Sequence, residues 1–261
     1  MTLHQSITGR PISETSFVLA TDLDGTFLGG TDSHRRMLYD WIEENRATIG
    51  LIFVTGRDPE FIVDMCAEQG LPWPEYVVGD VGTTIAHVTS DGRIAPIQPL
   101  EEEIARRWDD AGERVRAALD GVSGLELQPT AFRYRVSYYY DPDSFDGAAH
   151  RIAEEMGFDT IVSDDKYFDV LPKGVSKGPS LLRLVDHLDL PSDRVLAAGD
   201  TMNDFSMLTC GLPAVAVGGS ERPLLAALDG HDRVHRAEPV GAAGILDAVR
   251  AFDLHPTPAS F

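Results

Sequence analysis

Four short segments carry side chains able to do chemistry. The first is Asp22, Leu23, Asp24, Gly25, Thr26, in which two carboxylates stand two residues apart and are followed by a glycine whose backbone can approach a ligand closely. That arrangement makes a pocket for a cation or a proton relay, or else a pair of solvated loop aspartates. The second is Val54, Thr55, Gly56, Arg57, just before a helix start marked by Asp58 and Pro59. A hydroxyl and free backbone N–H groups at the positive end of a helix dipole hold an anion such as phosphate; the same residues also serve as a plain helix cap. The third is Lys177, Gly178, opening a helix that carries Leu181 and Val185. A lysine there opposes the dipole and calls for a compensating anion or aspartate. Lys173, which precedes the turn, is the rival and is expected in solvent. The fourth is Gly199, Asp200, Thr201, Met202, Asn203, Asp204, whose hard oxygen donors suit Mg²⁺ and equally suit a capped turn.

The elements that must position these segments are short apolar runs ending in Gly or Asp, at 17–22, 49–55, 76–79, 195–200 and 214–218. They read as buried parallel strands, and patterns at helical spacing lie between them. The fold class is therefore α/β, a Rossmann-like parallel-sheet core. Ligands of such sheets sit outside the carboxyl ends of strands, and all four segments lie at or near such ends.

The stretch 83–171 differs. Ile104, Trp108, Ala111, Val115, Ala118 and Leu119 predict one long amphipathic helix, and 133–140 an antiparallel strand with one open face. Arg135, Ser137 and Tyr139 share one side of that strand, and Val136, Tyr138 and Tyr140 the other. The expected division is a core of 1–82 and 172–261 with an inserted α+β cap at 83–171. The last seven residues are expected to form a loose tail.

The 261 residues hold 22 Lys and Arg against 42 Asp and Glu, a charge of −20 that repels nucleic acid and anionic membranes. Neither is an expected partner. Residues 1–16 contain no apolar leader core, and no apolar run is long enough to cross a bilayer. Cys66 and Cys210 stand in no metal or redox spacing, so a reducing cytoplasm is the expected setting.

The order DxDGT, TGR, lysine before a helix, GDxxND resembles the haloacid dehalogenase superfamily of phosphohydrolases, and the long insertion resembles the cap of its Cof-type branch. Within that branch VGTTI (81–85), FDVLPKGVSKG (168–178) and GDTMND (199–204) are similar to the sucrose-phosphate phosphatase group, which includes mannosylfructose-phosphate phosphatase. The resemblance implies a phosphomonoesterase acting on a small sugar phosphate, with Mg²⁺ as cofactor. It implies that Asp22 is the nucleophile, that Asp24 is the general acid and base, and that the Asp22 carboxylate, the Asp24 carbonyl and Asp200 hold the ion. Gly25, Thr55, Gly56 and Lys177 would bind phosphate. Asn203 and Asp204 would stand behind them, Asp204 orienting Lys177 or metal-bound water. Arg57 and Arg135 are the candidates for substrate; a structural ion pair is the competing reading of Arg135. His87 and His150 are given no role. Other glycoside phosphates, a phosphomutase and a noncatalytic sugar-phosphate-binding protein are the alternatives.

Overall fold

The computed structural model of the chain describes residues 11–130 and 132–259. It divides into two compact units: one runs up to Ile97 and again from Lys177, and the other is Gln98–Ser176.

The first unit begins with β1 (Phe17–Thr21), α1 (Asp32–Glu44), β2 (Ile49–Val54), α2 (Pro59–Gln69), β3 (Tyr76–Gly79), β4 (Thr84–Val88) and β5 (Ile94–Pro96). The second unit contributes α3 (Gln98–Trp108), α4 (Gly112–Ala118), β6 (Leu125–Leu127), β7 (Val136–Tyr140), α5 (Ala148–Glu155), β8 (Phe158–Ser163) and β9 (Tyr167–Pro172). The first then resumes with α6 (Lys177–His187), β10 (Val195–Gly199), α7 (Phe205–Leu208), β11 (Ala214–Gly218), α8 (Arg222–Ala227), β12 (Val234–Val240) and α9 (Ala242–Ala251).

Its sheet has the order β12-β11-β10-β1-β2-β3-β4-β5. From β12 to β3 every neighbouring pair is parallel. All residues of β1 and β2 are buried, as the unbroken apolar runs require of strands covered on both faces. Chain order reverses beside β1, with β2 on one side and β10 on the other, which is the switch point where open α/β sheets take ligands. Thr21 stands opposite both Phe53 and Ala198, so Asp22, Thr55 and Asp200 leave the sheet at the same edge. Asp58 accepts the Glu60 amide at 2.7 Å and Pro59 takes the first turn of α2, as expected.

In the second unit the sheet order is β6-β7-β9-β8, all antiparallel. Val136, Tyr138, Phe168 and Val170 form one face and pack with Trp108, Val115, Leu119, Ala149 and Ala153.

Four expectations need correction. The core sheet extends past residue 82, because β4 pairs antiparallel with β3 and β5 with β4; the division falls after Ile97 and before Lys177 rather than at 83 and 171. The long helix is two helices, broken where Asp109 and Asp110 take φ of 51° and 47°. Its apolar stripe continues across the break because both pieces face one core. The strand expected over 133–140 begins at Val136, and its expected open side is closed at Arg135 and Ser137, both buried, while Tyr139 is exposed. Finally, His255 and Pro256 are not loose. Trp41 Nε1 donates to the Pro256 carbonyl at 2.9 Å, and His255 packs on Trp41 and meets Thr48 Oγ1. Ser260, Phe261 and the first ten residues lie outside the described residues. Among the described residues no helix is long and apolar enough to cross a membrane.

Candidate active site

The site is built at the carboxyl ends of β1, β2 and β10 and on the first residue of α6. Asp22 is the residue after β1, fixed by its amide to the Ala198 carbonyl at 2.8 Å. The chain then turns sharply through Asp24 and Gly25. Gly25 has φ +80°, and a Cβ there would lie 2.1 Å from Asp200 Oδ2, so only glycine lets the two loops close together. Thr26 completes the junction by donating its hydroxyl to Asp200 Oδ1 at 2.5 Å.

Lys177 enters the site as the first residue of α6. The first turn of α6 reaches it because Gly178 lies flush on the chain at Ser206, where a Cβ would fall 2.0 Å from the carbonyl oxygen. Lys177 has no exposed surface, and its Nζ donates to Asp22 Oδ1 at 2.7 Å, Asn203 Oδ1 at 2.8 Å and Asp204 Oδ1 at 2.6 Å. All three donor positions of the ammonium are thus used, and the compensation that a lysine at a helix start demands is met by aspartates.

Asp204 is held on both of its oxygens. Its Oδ1 is held by Lys177, and its Oδ2 accepts the amides of Asp200 and Thr201 at 3.0 Å and the Thr201 hydroxyl at 3.3 Å. The Met202 amide, next in line, ends on Glu221 Oε2 at 2.8 Å. Asp22, Asp200 and Asp204 each place a carboxylate oxygen within 4.8 Å of the others. Three carboxylates therefore face one ammonium in a largely dry setting.

The electrostatics follow. Burial pushes the Asp22 carboxyl well above its usual range; Lys177 works against that, and Asp204 and Asp200 add to it. Asp200 is raised to about 7, first by burial and then by Asp204. Burial alone would lower Lys177, but Asp204 and Asp22 override it and hold the ammonium above its ordinary value. Such a cluster lacks positive charge, and its hard oxygen donors suit a small divalent cation. Both Asp204 oxygens are engaged, whereas Asp22 and Asp200 are each held through Oδ1 alone, so these two are the carboxylates most open to that role.

Thr55, Gly56 and Arg57 form the turn from β2 into α2. Thr55 is buried, its Oγ1 accepting the Arg57 amide at 3.2 Å. Arg57 reaches across to Asp24 through two hydrogen bonds of 2.6 and 2.7 Å, with the Phe61 ring 4.1 Å from its guanidinium carbon. All the core candidates thus lie in the first unit. Arg135 belongs to the second unit, where it forms a buried pair with Asp169 at 3.0 Å and stacks with Phe132 at 3.6 Å. Ser137 also donates to Asp169. Thr26, Thr201 and Glu221 join the site as well; nothing local in the sequence singles out Thr201, and the other two are marked only by a hydroxyl directly after Asp-Gly and by a glutamate where a short capping residue is usual before α8.

The family model for sucrose-6F-phosphate phosphohydrolase matches residues 15–253. A glucosylglycerol-phosphate synthase of Pseudomonas anguilliseptica is 42% identical over 235 residues, covering 88% of this chain; the chain spans 30% of that longer protein. A mannosylfructose-phosphate phosphatase of Agrobacterium fabrum is 26% identical over 249 residues, covering 92% of this chain and 98% of the relative. Among solved structures, a sucrose-phosphatase from a Synechocystis species, in complex with sucrose and phosphate, superposes with a TM-score of 0.83 at 25% identity, over 92% of this chain and 98% of that one.

Proposed function

The chain belongs to the sucrose-6F-phosphate phosphohydrolase family, and from that premise we propose that it is a Mg²⁺-dependent phosphomonoesterase of a glycosyl phosphate, of the sucrose 6-phosphate or mannosylfructose phosphate type. The observation that carries the proposal is the convergence on Lys177: one ammonium within 2.6–2.8 Å of Asp22, Asn203 and Asp204, with Asp200 beside them.

The Asp22 carboxylate attacks phosphorus, the bond from phosphorus to the sugar oxygen breaks, and Asp24 gives that oxygen its proton. Asp24, now a carboxylate, takes a proton from water, which attacks the aspartyl phosphate and returns Asp22 and inorganic phosphate. Thr55 and the amides around Gly25 and Gly56 hold the nonbridging oxygens, and Lys177 joins them by exchanging its bond to Asp22 Oδ1 for a phosphoryl oxygen as Asp22 attacks. Asp22, Asp200 and the Asp24 carbonyl would hold Mg²⁺, which when bound neutralises phosphoryl charge beside an otherwise acidic cluster. Arg57 occupies the Asp24 carboxyl through two hydrogen bonds; for Asp24 to reach the leaving oxygen this pair opens, and Arg57 turns to the substrate. The second unit is assigned the choice of sugar. Its sheet offers the exposed pair Tyr139 and Tyr167, whose rings lie 6.4 Å apart, while Arg135 and Ser137 are engaged with Asp169 behind them and reach a sugar only if those bonds open.

A second reading of the substrate, glucosylglycerol phosphate, is favoured by the 42% identity with part of a glucosylglycerol-phosphate synthase. Phosphate release across sucrose 6-phosphate, mannosylfructose phosphate, glucosylglycerol phosphate, mannosylphosphoglycerate and hexose phosphates separates the two, with Asp22→Asn as the blank. One glycoside phosphate is expected to dominate, and release is expected to stop on exhaustive chelation and resume with Mg²⁺. Full activity in Asp22→Asn or after chelation would overturn the proposal. Isomerised sugar phosphate without free phosphate would mark a mutase, and tight binding without release a sensor.

A further inference from the structure

We infer that Glu221 is a positioning residue for the divalent-ion site, acting by clamping the backbone that presents Asp200. This rests on the phosphatase reading above.

Glu221 occupies the position before α8, where Ser, Thr, Asp or Asn would normally accept an amide of the helix's own first turn. Its side chain makes no such bond. Instead Oε2 accepts the Met202 amide at 2.8 Å, while the Glu221 amide donates to the Asp200 carbonyl at 2.9 Å. Met202 opens a single turn, Met202–Asp204, whose leading N–H groups have no partner within the turn. Asp204 Oδ2 takes the amides of Asp200 and Thr201, and Glu221 takes the third. Three successive amides thus end on carboxylates, one reaching in from the buried side and one from the strand-to-helix loop after β11.

The consequence falls on Asp200. Its amide is fixed by Asp204, its carbonyl by Glu221, and its carboxylate by Thr26. Hydrogen bonds to an ionised acceptor are stronger than neutral ones, and the Glu221 carboxylate is the only side-chain acceptor recorded for Met202 N among the described residues. Without it the partly buried amide loses its acceptor and the Asp200 to Met202 segment can turn, carrying the Asp200 oxygens away from Asp22. The neighbouring amide bond from Glu221 N remains in any side-chain variant, so the clamp can be released without deleting the loop contact.

The test is calorimetric titration of the full chain with Mg²⁺, alongside the Mg²⁺ dependence of phosphate release. Glu221→Ala should bind Mg²⁺ about 10–100-fold more weakly, as loss of an outer partner does, while kcat at saturating Mg²⁺ is retained. Glu221→Gln, whose amide oxygen can still accept Met202 N, should stay near wild type. Wild-type affinity in Glu221→Ala, or equal weakening in Glu221→Gln, overturns the clamp. Asp200→Asn separates the levels: if it abolishes binding while Glu221→Ala is unchanged, only the Glu221 role fails. A wild-type chain with no saturable Mg²⁺ binding overturns this inference and the phosphatase reading together.

Discussion

Thr26 and Asp200, 174 residues apart in the chain, are joined by a hydrogen bond of 2.5 Å from the threonine hydroxyl to Oδ1. The bond ties the turn after β1 to the turn after β10, and it leaves the position of Asp200 Oδ2 to be set by Gly25 beneath it. Thr26→Val keeps the shape and removes the donor. It should raise the Mg²⁺ concentration needed for half-maximal phosphate release by roughly 10–100-fold, while Thr26→Ser should not. An unchanged Mg²⁺ dependence in Thr26→Val would mean that Asp200 is held by its backbone alone.

Asp24 is assigned the proton transfers, and the test lies in the leaving group. Asp24→Asn should lower kcat on a sugar phosphate by about 10²–10⁴-fold, since an alkoxide leaves poorly without a proton. An aryl phosphate with an acidic phenol should lose much less in its first step, visible as a burst of phenol. Equal losses in that step for both substrates would remove Asp24 from the acid role and leave it only as the partner of Arg57.

Lys177→Met removes a cation with no exposure and leaves Asp22 and Asp204 buried without it. Stranding buried charges in this way costs about 3–5 kcal/mol. Denaturant unfolding should register that loss, and phosphate release should vanish. Added Mg²⁺ should not restore release, because Asp204 would still lack the donor on its Oδ1. A variant as stable as wild type would show that the aspartates take up protons at little cost.

The core was legible because its strands are continuous apolar runs and three of the four motifs follow one of them, which puts Asp22, Thr55 and Asp200 at one sheet edge, whereas Lys177 opens a helix after the second unit. The limits of legibility are physical. Thr84–Val88 has the composition of a strand in either unit, and only its pairing with β3 assigns it to the core sheet. β12, at the sheet edge, buries only Val234 and Ala237 and lacks the apolar run that marks its neighbours. The break at Asp109 leaves no mark in the apolar stripe, because a left-handed aspartate pair keeps both helices on the same core. Thr26 and Glu221 act through contacts formed only when distant loops meet, and no local pattern carries that information.

Glu75 gives the fold a pH dependence whose sign can be worked out. It lies beside Arg46, whose guanidinium also holds Glu43 and the Trp73 carbonyl, and its Oε2 accepts the Leu51 amide at 2.7 Å. Burial nevertheless raises its carboxyl above the ordinary value of 4.5, outweighing Arg46 and the Leu51 bond. The folded state therefore keeps the proton to higher pH than the unfolded chain does. The stability this group contributes is fully present below about pH 4.5 and is lost as pH rises through the folded value. Glu75→Gln keeps an acceptor for Leu51 N and has no proton to lose. The unfolding free energy of wild type minus that of Glu75→Gln should accordingly fall between pH 4 and pH 7, as read by urea denaturation at each pH. A difference that rises over that range would mean that the Arg46 pairing wins over burial, and that the ionised carboxylate is the form the fold prefers.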